Sequence, residues 1–406
     1  RRPPGDAGAT PAAVQRRSRR PARRSAGIER ESGVNRKTKP CDGPVRVRLV
    51  QLEVRPGRPE ANTRRMLDAV ARARADGVGL VAFPELAVPG CLPGDMWDRP
   101  AFLNACEACG ERLREASQGI VIAFGNVALD RGRRGEGGRA RRYNALFFAE
   151  NGRFCTSAAT RLPFVPKTFL PGCRCLDDVR HFFDTRCLAL EQGVAPDRLV
   201  EPVRTSLGLI GGLLCGDAGD GDCAFPPAKV LARKGARLLL NAGSPPFSLD
   251  GNHERVRVFD RLARETGLPL LCVNAVGVQD TGKTVYVLDG SSRAYDGCGH
   301  AVAAGAPFAE TELTLDLPPA GTPFGEPVAP RRDGAAALAQ ALTFGVGGLM
   351  RRLGIRRVVV GVSGGIDSAL SAVLYSRIVA PEDLLLLNLP GPYSSQTTRR
   401  LARELA

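Results

Sequence analysis

The segment 357–378 constrains the fold of this chain more than any other. Its amino-acid sequence has the pattern of a strand, a glycine-rich loop and a helix in direct succession. The apolar run VVVGV is followed by SGGIDS at 363–368 and then by ALSAVLYSRIV. Glycines let a backbone approach an oxyanion closely, and a helix N-terminus offers free N–H groups to it. The pattern therefore predicts a phosphate-binding loop in an α/β fold.

The polar residues of this loop favour a nucleotide with its metal ion. The hydroxyls of Ser363 and Ser368 can donate to phosphate, and the carboxylate of Asp367 suits a Mg²⁺ ion that bridges phosphates. A Walker loop would need a Lys, which is absent. A glycine-rich turn before an ordinary helix is the alternative, but it leaves the Ser/Asp/Ser set unexplained. The loop resembles that of the N-type ATP pyrophosphatases, which implies that Ser363, Gly364, Gly365, Asp367 and Ser368 bind ATP and that Asp367 holds Mg²⁺.

Length and charge divide the chain unevenly. Its 406 residues predict two domains, and no apolar run approaches the ~18 residues of a membrane span. The net charge is +15, but residues 1–39 hold twelve Lys and Arg against three Asp and Glu, or +9. We expect residues 1–43 to be a disordered Arg-rich tail, and upstream or fragmentary sequence explains it better than a nucleic-acid partner does.

Cysteine content favours a reducing compartment. The chain has 12 Cys and no secretory segment, so we expect a cytoplasmic protein without disulfides. Cys106 and Cys109 stand at zinc-finger spacing, but no second pair at that spacing follows, so we expect no metal bound by cysteine. We expect no membrane and no nucleic acid as partners.

Strand and helix signals alternate from about residue 45 to 320, which is typical of α/β architecture. A Pro/Gly-rich stretch then predicts a linker at 321–334. We expect one domain at 44–320 and the beginning of a second at 335–406. The second would contain only two parallel strands, which cannot bury both faces of a sheet.

Three pieces of the first domain place a reactive group at a strand end. They are FPEL with Glu85, PKTFLP with Lys167 and LLCGD with Cys215. Taken singly, each has an ordinary explanation: a solvated Glu, a loop Lys, a core Cys. Lys167 is, however, one of only four Lys beyond residue 40.

Together these pieces resemble the nitrilase superfamily, whose amidases use a Glu–Lys–Cys triad. The text ELAVPGCLPGDMWDRPAFL, VPKTFLPGCRCLDDVRHF, NAGSPPF and VNAVGVQD further resembles the glutaminase domain of glutamine-dependent NAD⁺ synthetases. SGGIDS and LPGPYSSQTTRRLARELA resemble the start of their synthetase domain. The resemblance implies a nitrilase-type α-β-β-α sandwich, followed by the start of a doubly wound parallel-sheet ATP pyrophosphatase domain.

The resemblance also implies the roles of the residues. Cys215 would be the nucleophile with its thiolate favoured by the Lys167 ammonium, and Glu85 would be the general base. Lys167 and the N–H of Gly216 would stabilise the oxyanion. Ser244 would contact the α-substituents of glutamine. The substrates would be glutamine, ATP and deamido-NAD⁺, and a homo-oligomer is expected.

Some departures from the family text leave alternatives open. The family's CED appears as Cys215-Gly216-Asp217, followed by a Gly/Asp-rich stretch, and motifs that complete the ATP site do not follow. The chain is therefore expected to be an ATP-dependent carbon–nitrogen ligase whose synthetase half is not self-sufficient. A stand-alone nitrilase-type amidase, or an inactive fragment or scaffold subunit, remains the alternative.

Overall fold

The structure is a computed structural model that describes residues 44–134, 138, 140–170, 178–219, 225–280, 284–318, 324–328 and 334–406. The predicted disordered tail at 1–43 lies outside the described residues, as does most of the predicted linker. No helix of the described part is long and apolar enough to cross a membrane.

Seventeen strands lie in the described residues. They are β1 (Val45–Gln51), β2 (Leu80–Ala82), β3 (Val121–Arg134), β4 (Ala140–Glu150), β5 (Arg153–Phe154), β6 (Val165–Pro166), β7 (Val203–Thr205), β8 (Gly208–Leu214), β9 (Leu238–Gly243), β10 (Leu270–Asn274), β11 (Val276–Asp280), β12 (Val285–Asp289), β13 (Arg293–Tyr295), β14 (Ala301–Ala304), β15 (Thr311–Leu317), β16 (Val358–Gly361) and β17 (Leu384–Leu387).

Ten α-helices accompany them over the same described ranges. They are α1 (Pro59–Ala75), α2 (Pro100–Glu115), α3 (Asp178–His181), α4 (Thr185–Gln192), α5 (Pro196–Leu199), α6 (Pro227–Arg233), α7 (Gly251–Thr266), α8 (Ala335–Leu353), α9 (Ile366–Ser376) and α10 (Gln396–Leu405). Four of them, α1, α2, α5 and α6, have Pro in their first turn, where its missing N–H costs nothing.

Two large mixed sheets form the body of the fold. The first has the order β15-β1-β2-β3-β4-β5, with β6 also paired to β4, and the second has the order β14-β13-β10-β9-β8-β7. Strands β1, β2 and β3 run parallel to one another, and so do β8, β9 and β10. Parallel neighbours end at the same edge of a sheet, which is where α/β proteins bind their ligands.

The two sheets pack face to face, with helices on each outer side. Strand β9 shows the alternation: Leu238 and Leu240 face the core between the sheets, whereas Leu239 faces the helix layer of α6 and α7. Helices α1 and α2 cover the first sheet through residues such as Met66 and Phe102. The α-β-β-α sandwich implied by the sequence resemblance is therefore present.

Helix α8 packs against the β11–β12 hairpin. A Cβ atom on Gly345 would lie 2.5 Å from Val287 Cγ2, and one on Gly348 would lie 2.6 Å from Val278 Cγ2, so the helix needs glycine at both contacts. The Arg352 side chain donates to the Val278 carbonyl at 3.0 Å. The sequence predicts a second domain from residue 335, and its first helix lies against the first; the domain limits themselves stay a prediction.

After α8 the chain forms a small parallel unit. Strands β16 and β17 pair in parallel and are covered on one side by α9 and α10 through Val360, Val362, Ala372 and Ala402. The two-stranded sheet expected from the sequence is therefore found. On its other side Val359 and Leu385 are 62% and 56% exposed, so an apolar face of this sheet has no cover among the described residues.

Candidate active site

The three predicted reactive residues each lie just past the end of a strand. Glu85 comes three residues after β2, Lys167 directly follows β6, and Cys215 directly follows β8. Because β2 belongs to the first sheet and β8 to the second, the site lies where the two sheets bring their strand ends together. The structure thus unites residues spread over 130 positions of sequence.

Lys167 is the centre of a buried charge cluster. Its Nζ lies 2.6 Å from Glu85 Oε1 and 3.3 Å from Asp178 Oδ2. The Lys167 and Glu85 side chains are only 4% and 5% exposed. Asn144 Nδ2 also donates to Glu85 Oε1, at 2.8 Å, and its backbone carbonyl accepts from the Lys167 N–H through the β4–β6 pairing. The Glu85 carboxylate is therefore held by two donors in a fixed place.

The two carboxylates decide the charge of Lys167. Burial acts to lower the pKa of its ammonium, but the negative charges of Glu85 and Asp178 and the hydrogen bond to Glu85 raise that pKa well above its ordinary value. Lys167 is thus a permanent cation, suited to stabilise an oxyanion rather than to act as a base.

The backbone at Cys215 holds the thiol in a sharp turn. Cys215 has φ 44°, in the left-handed region that non-glycine residues rarely occupy, and it begins a short 3₁₀ turn, Cys215–Ala218. Such a conformation costs about 1–2 kcal/mol and is concentrated at functional sites. The turn presents the thiol to Glu85 and Lys167, whose charges both act on it.

The pKa of the Cys215 thiol depends on its burial as well as on the two neighbouring charges. Burial, together with the negative charge of Glu85, raises the pKa of the Cys215 thiol to about 11. Lys167, the Ser244 N–H and Arg255 act to lower that pKa and only partly offset the rise. The Lys167 ammonium thus acts in the direction expected, toward the thiolate, but the thiol still needs a base to remove its proton, the role expected of Glu85.

Ser244 and Gly216 lie on the two loops that flank the thiol. Ser244 follows β9; its N–H is directed at the Cys215 sulfur, and its hydroxyl donates to the Glu85 carbonyl at 3.0 Å. A Cβ on Gly216 would meet no atom within 4 Å, so there is open space beside this residue. Ser244 therefore ties the base loop to the nucleophile loop, and its role toward glutamine stays a prediction.

Asp217 anchors the nucleophile loop. Its buried carboxylate accepts hydrogen bonds from the backbone N–H groups of Thr168, Phe169 and Leu214 at 2.9–3.2 Å. Burial nevertheless raises the pKa of Asp217 to about 6. Since Thr168 follows Lys167 directly, this carboxylate links the lysine loop to the turn that carries Cys215.

Gly125 allows the base loop to approach β3. A Cβ at this position would lie 2.2 Å from the Leu86 nitrogen and 2.5 Å from the Pro84 oxygen, which is impossible without movement. Gly125 N–H donates to the Pro84 carbonyl at 3.1 Å. The position of Glu85 therefore depends on the absence of a side chain at 125.

The loop of the small parallel unit has the form that the sequence predicted. Gly364 has φ +84°, and a Cβ there would lie 2.1 Å from the Thr398 carbonyl oxygen. The Ser363 Oγ and Ser368 Oγ atoms lie 3.2 Å apart, and Ser368 Oγ donates to Gly365 O. Asp367 is exposed in the first turn of α9. A cavity of about 280 Å³ borders Ser363 at the carboxyl ends of β16 and β17.

The described residues contain no group of three or more His, Cys, Asp or Glu that could hold a metal ion by themselves. Asp367 remains a fit for Mg²⁺, since that ion is commonly bound by one or two carboxylates together with nucleotide phosphates and waters.

Sequence reasoning missed three residues of the site. Asn144 directly precedes the apolar run ALFFA of strand β4, and an amide at the edge of that run could have identified it. Asp178 lies within a stretch quoted for its family resemblance, eleven positions after Lys167. Asp217 was noticed only as part of an altered motif. Their contacts depend on strand pairing and loop packing, which spacing alone does not reveal.

Comparisons with known proteins agree with this geometry. Residues 46–322, more than half of the chain, match the family model described as carbon-nitrogen hydrolase, and residues 338–406 match the one described as NAD synthase. The glutamine-dependent NAD(+) synthetase of Xanthomonas campestris pv. campestris (strain 8004) is 30% identical over 370 residues, which is 89% of this chain and 60% of that protein. The same protein of Rhodobacter capsulatus is 30% identical over 366 residues, with the same coverage.

Solved structures show the same fold. The glutamine-dependent NAD+ synthetase of Acinetobacter baumannii in complex with ADP superposes with a TM-score of 0.71 at 24% identity, over 89% of this chain and 62% of that chain. An amidase of the nitrilase superfamily from Nesterenkonia AN1 superposes with a TM-score of 0.53 at 22% identity. The match covers 70% of this chain and 94% of that chain. The chain spans about 60% of the length of the curated relatives it matches. It belongs to the carbon-nitrogen hydrolase family, with a match to NAD synthase after the hydrolase region.

Proposed function

We propose that the sandwich hydrolyses the side-chain amide of glutamine and that the chain supplies the glutaminase part of a glutamine-dependent NAD⁺ synthetase. The observation that carries the proposal is the Glu85–Lys167 pair, 2.6 Å apart and buried beside the Cys215 thiol. Amide hydrolysis needs a nucleophile, a base and an oxyanion donor, and these three residues supply one of each. The relatives named above support glutamine as the amide donor.

The proposed reaction has two halves. Cys215 Sγ attacks the amide carbon while Glu85 accepts the thiol proton, and the oxyanion that forms is stabilised by Lys167 Nζ and the Gly216 N–H. Glu85 then returns the proton to the departing ammonia, which leaves a thioester on Cys215. A water molecule, deprotonated by Glu85, hydrolyses the thioester to glutamate and restores the thiol.

Ammonia release from glutamine tests the proposed glutaminase activity directly. The wild-type chain should release ammonia, and Cys215→Ala should reduce the rate to background. Cys298→Ala is the matched control, because Cys298 is an exposed thiol outside the site. Equal rates for wild type and Cys215→Ala would overturn the assignment of the nucleophile.

We further propose that the loop at 363–368 binds ATP, with Mg²⁺ on Asp367, for the adenylation of deamido-NAD⁺. A bound Mg²⁺ would neutralise phosphate charge, while the chain's own Ser363 and Ser368 hydroxyls and the loop N–H groups would orient the phosphates. The exposed apolar face of β16 and β17 supports a requirement for a further element that covers it before the unit can act. We therefore expect ATP binding without pyrophosphate release by this chain alone.

Calorimetry with ATP and Mg²⁺ tests the loop. Gly364→Ala should abolish ATP binding, because its Cβ would collide with the Thr398 carbonyl, while Gly354→Ala, whose Cβ would meet nothing within 4 Å, is the control for a positive-φ glycine. Undiminished binding by Gly364→Ala would contradict the site. A cytoplasmic location and a homo-oligomer are part of the same proposal.

A stand-alone amidase is the second candidate. The match covers 94% of the chain of the nitrilase-superfamily amidase from Nesterenkonia AN1. That amidase therefore consists almost entirely of the sandwich domain. Hydrolysis of simple aliphatic amides as fast as glutamine would favour this reading.

A further inference from the structure

A cavity of about 300 Å³ opens beside Cys215, at the lower end of the range of ligand sites. Its walls are the nucleophile loop, the ends of β9 and β10, and the N-terminal half of α7. Asn241, Glu254 and Arg255 are the polar side chains of this lining on which the specificity depends.

Two oxygen acceptors in the cavity have no partner among the described residues. Asn241 is only 1% exposed, and its Oδ1 accepts no hydrogen bond. A buried acceptor without a donor is rare in native proteins, and it indicates that a bound ligand supplies the missing donor. The Glu254 carboxylate, on the first turn of α7, is exposed and forms no ion pair within the described ranges, so it is accessible to a ligand in the cavity that it lines. Both oxygens favour a cationic hydrogen-bond donor.

Arg255 supplies the opposite charge. Its Nη2 donates to both carboxylate oxygens of Asp289 at 2.9 Å, which fixes the guanidinium in place. A guanidinium carries five N–H donors, so Nε and Nη1 are left with donors for a ligand. Arg255 and Cys215 line the same cavity, and the guanidinium charge acts to lower the pKa of the thiol.

We propose that this cavity recognises the zwitterionic head of an α-amino acid whose side-chain amide reaches Cys215. Glu254 and Asn241 Oδ1 bind the α-ammonium, and Arg255 binds the α-carboxylate. This inference rests on the proposed glutaminase function and specifies how glutamine is chosen over simple amides. It adds these three residues to Ser244, whose hydroxyl donates to the Glu85 carbonyl and keeps its acceptor lone pairs.

Four amides distinguish recognition of the α-ammonium from recognition of the α-carboxylate. Glutamine carries both, 4-aminobutanamide only the ammonium, 4-carbamoylbutanoate only the carboxylate, and butanamide neither. With Glu254→Gln, KM should rise about tenfold for the first two and stay unchanged for the last two, with kcat unchanged, because a charge-assisted contact is lost only where an ammonium is present. Glu265→Gln, on the same helix but paired with Lys229 on the surface, is the matched control.

The outcomes distinguish this inference from the proposed function. If Glu254→Gln changes KM for all four amides alike, or for none, the ammonium site is wrong while the amidase stands. If no amide is hydrolysed, the proposed function fails, and the cavity is tested by calorimetry of glutamine on Cys215→Ala and on Cys215→Ala with Glu254→Gln. Binding weakened about tenfold by the second change supports the cavity, and equal or undetectable binding overturns it.

Discussion

Lys167 Nζ lies 2.6 Å from Glu85 Oε1, and the two side chains are almost completely removed from solvent. Asp178 Oδ2 lies 3.3 Å from the same nitrogen, so one cation serves two buried carboxylates. Lys167 stabilises the folded site, because without it two negative charges would be left without a counter-ion in a region of low dielectric constant.

Replacement of Lys167 by Met should therefore destabilise the protein severely. We expect the free energy of unfolding to fall by about 3–5 kcal/mol, the usual cost of removing one partner from a buried ion pair. Urea denaturation followed by circular dichroism measures this change.

The matched control is Lys229→Met. Lys229 Nζ lies 2.9 Å from Glu265 Oε2, but both side chains are 39% exposed, so its loss should cost at most about 1 kcal/mol. Equal losses for the two variants would mean that burial does not govern the Lys167 cluster.

The Glu85→Gln variant should separate thiol acidity from catalysis. Glu85 raises the pKa of the Cys215 thiol, so its neutral replacement should lower that pKa from about 11 and speed alkylation by iodoacetamide at about pH 8. Ammonia release should nevertheless fall by about 10²–10⁴-fold, because the base is gone. Mass spectrometry of the Cys215 peptide measures the labelling. Slower labelling than in wild type would show that Glu85 promotes ionisation of the thiol in the free protein.

The sequence predicted which three residues converge and that Lys167 favours the Cys215 thiolate, but not the pKa that results for the thiol. Glu85, Lys167 and Cys215 stand beside strand ends that apolar runs make visible, and their convergence follows from the topology of parallel strands. The pKa of Cys215 depends instead on burial and on the balance of Glu85 against Lys167, and neither is readable from spacing.

The sheets and most helices were likewise visible in the hydrophobic pattern, as with α1, α2 and the strand–loop–helix at 358–376. The contact of α8 with the β11–β12 hairpin was not. It depends on Gly345 and Gly348 lying on one helix face against Val287 and Val278, and a pair of glycines in a helix does not identify its partner.

Asp217 should make stability depend on pH between about 4 and 6. Its pKa rises from 3.8 to about 6 on folding, so in this window the folded state retains a proton that the unfolded state has lost. The free energy of unfolding therefore falls as pH rises, by roughly 3 kcal/mol in total. Unfolding measured at several pH values should show this slope in wild type and not in Asp217→Asn.

Asp316→Asn is the control for that slope. Arg46 lowers the pKa of the exposed Asp316 carboxyl. The stabilisation that this ion pair contributes is therefore present above pH 3.8 and is lost only in stronger acid. Asp316→Asn should therefore keep the wild-type slope between about pH 4 and 6. Parallel profiles for wild type and Asp217→Asn would contradict a raised pKa at Asp217.

Gly125→Ala should disable the site without touching a reactive group. Its Cβ would lie 2.2 Å from the Leu86 nitrogen, so the loop that carries Glu85 must move away from β3. Overpacking of this kind costs about 1–3 kcal/mol. A displacement of the base by about 1 Å should lower kcat for ammonia release by about 10²-fold.

Gly132→Ala tests the same substitution further along β3, where the nearest atom to the new Cβ is Asp130 Oδ1 at 3.4 Å, an ordinary contact. It should leave both the free energy of unfolding and kcat close to the wild-type values. Should Gly125→Ala also retain full kcat, the loop at 84–86 could shift freely, and the fixed position of Glu85 between Lys167 and Asn144 would not be what the reaction requires.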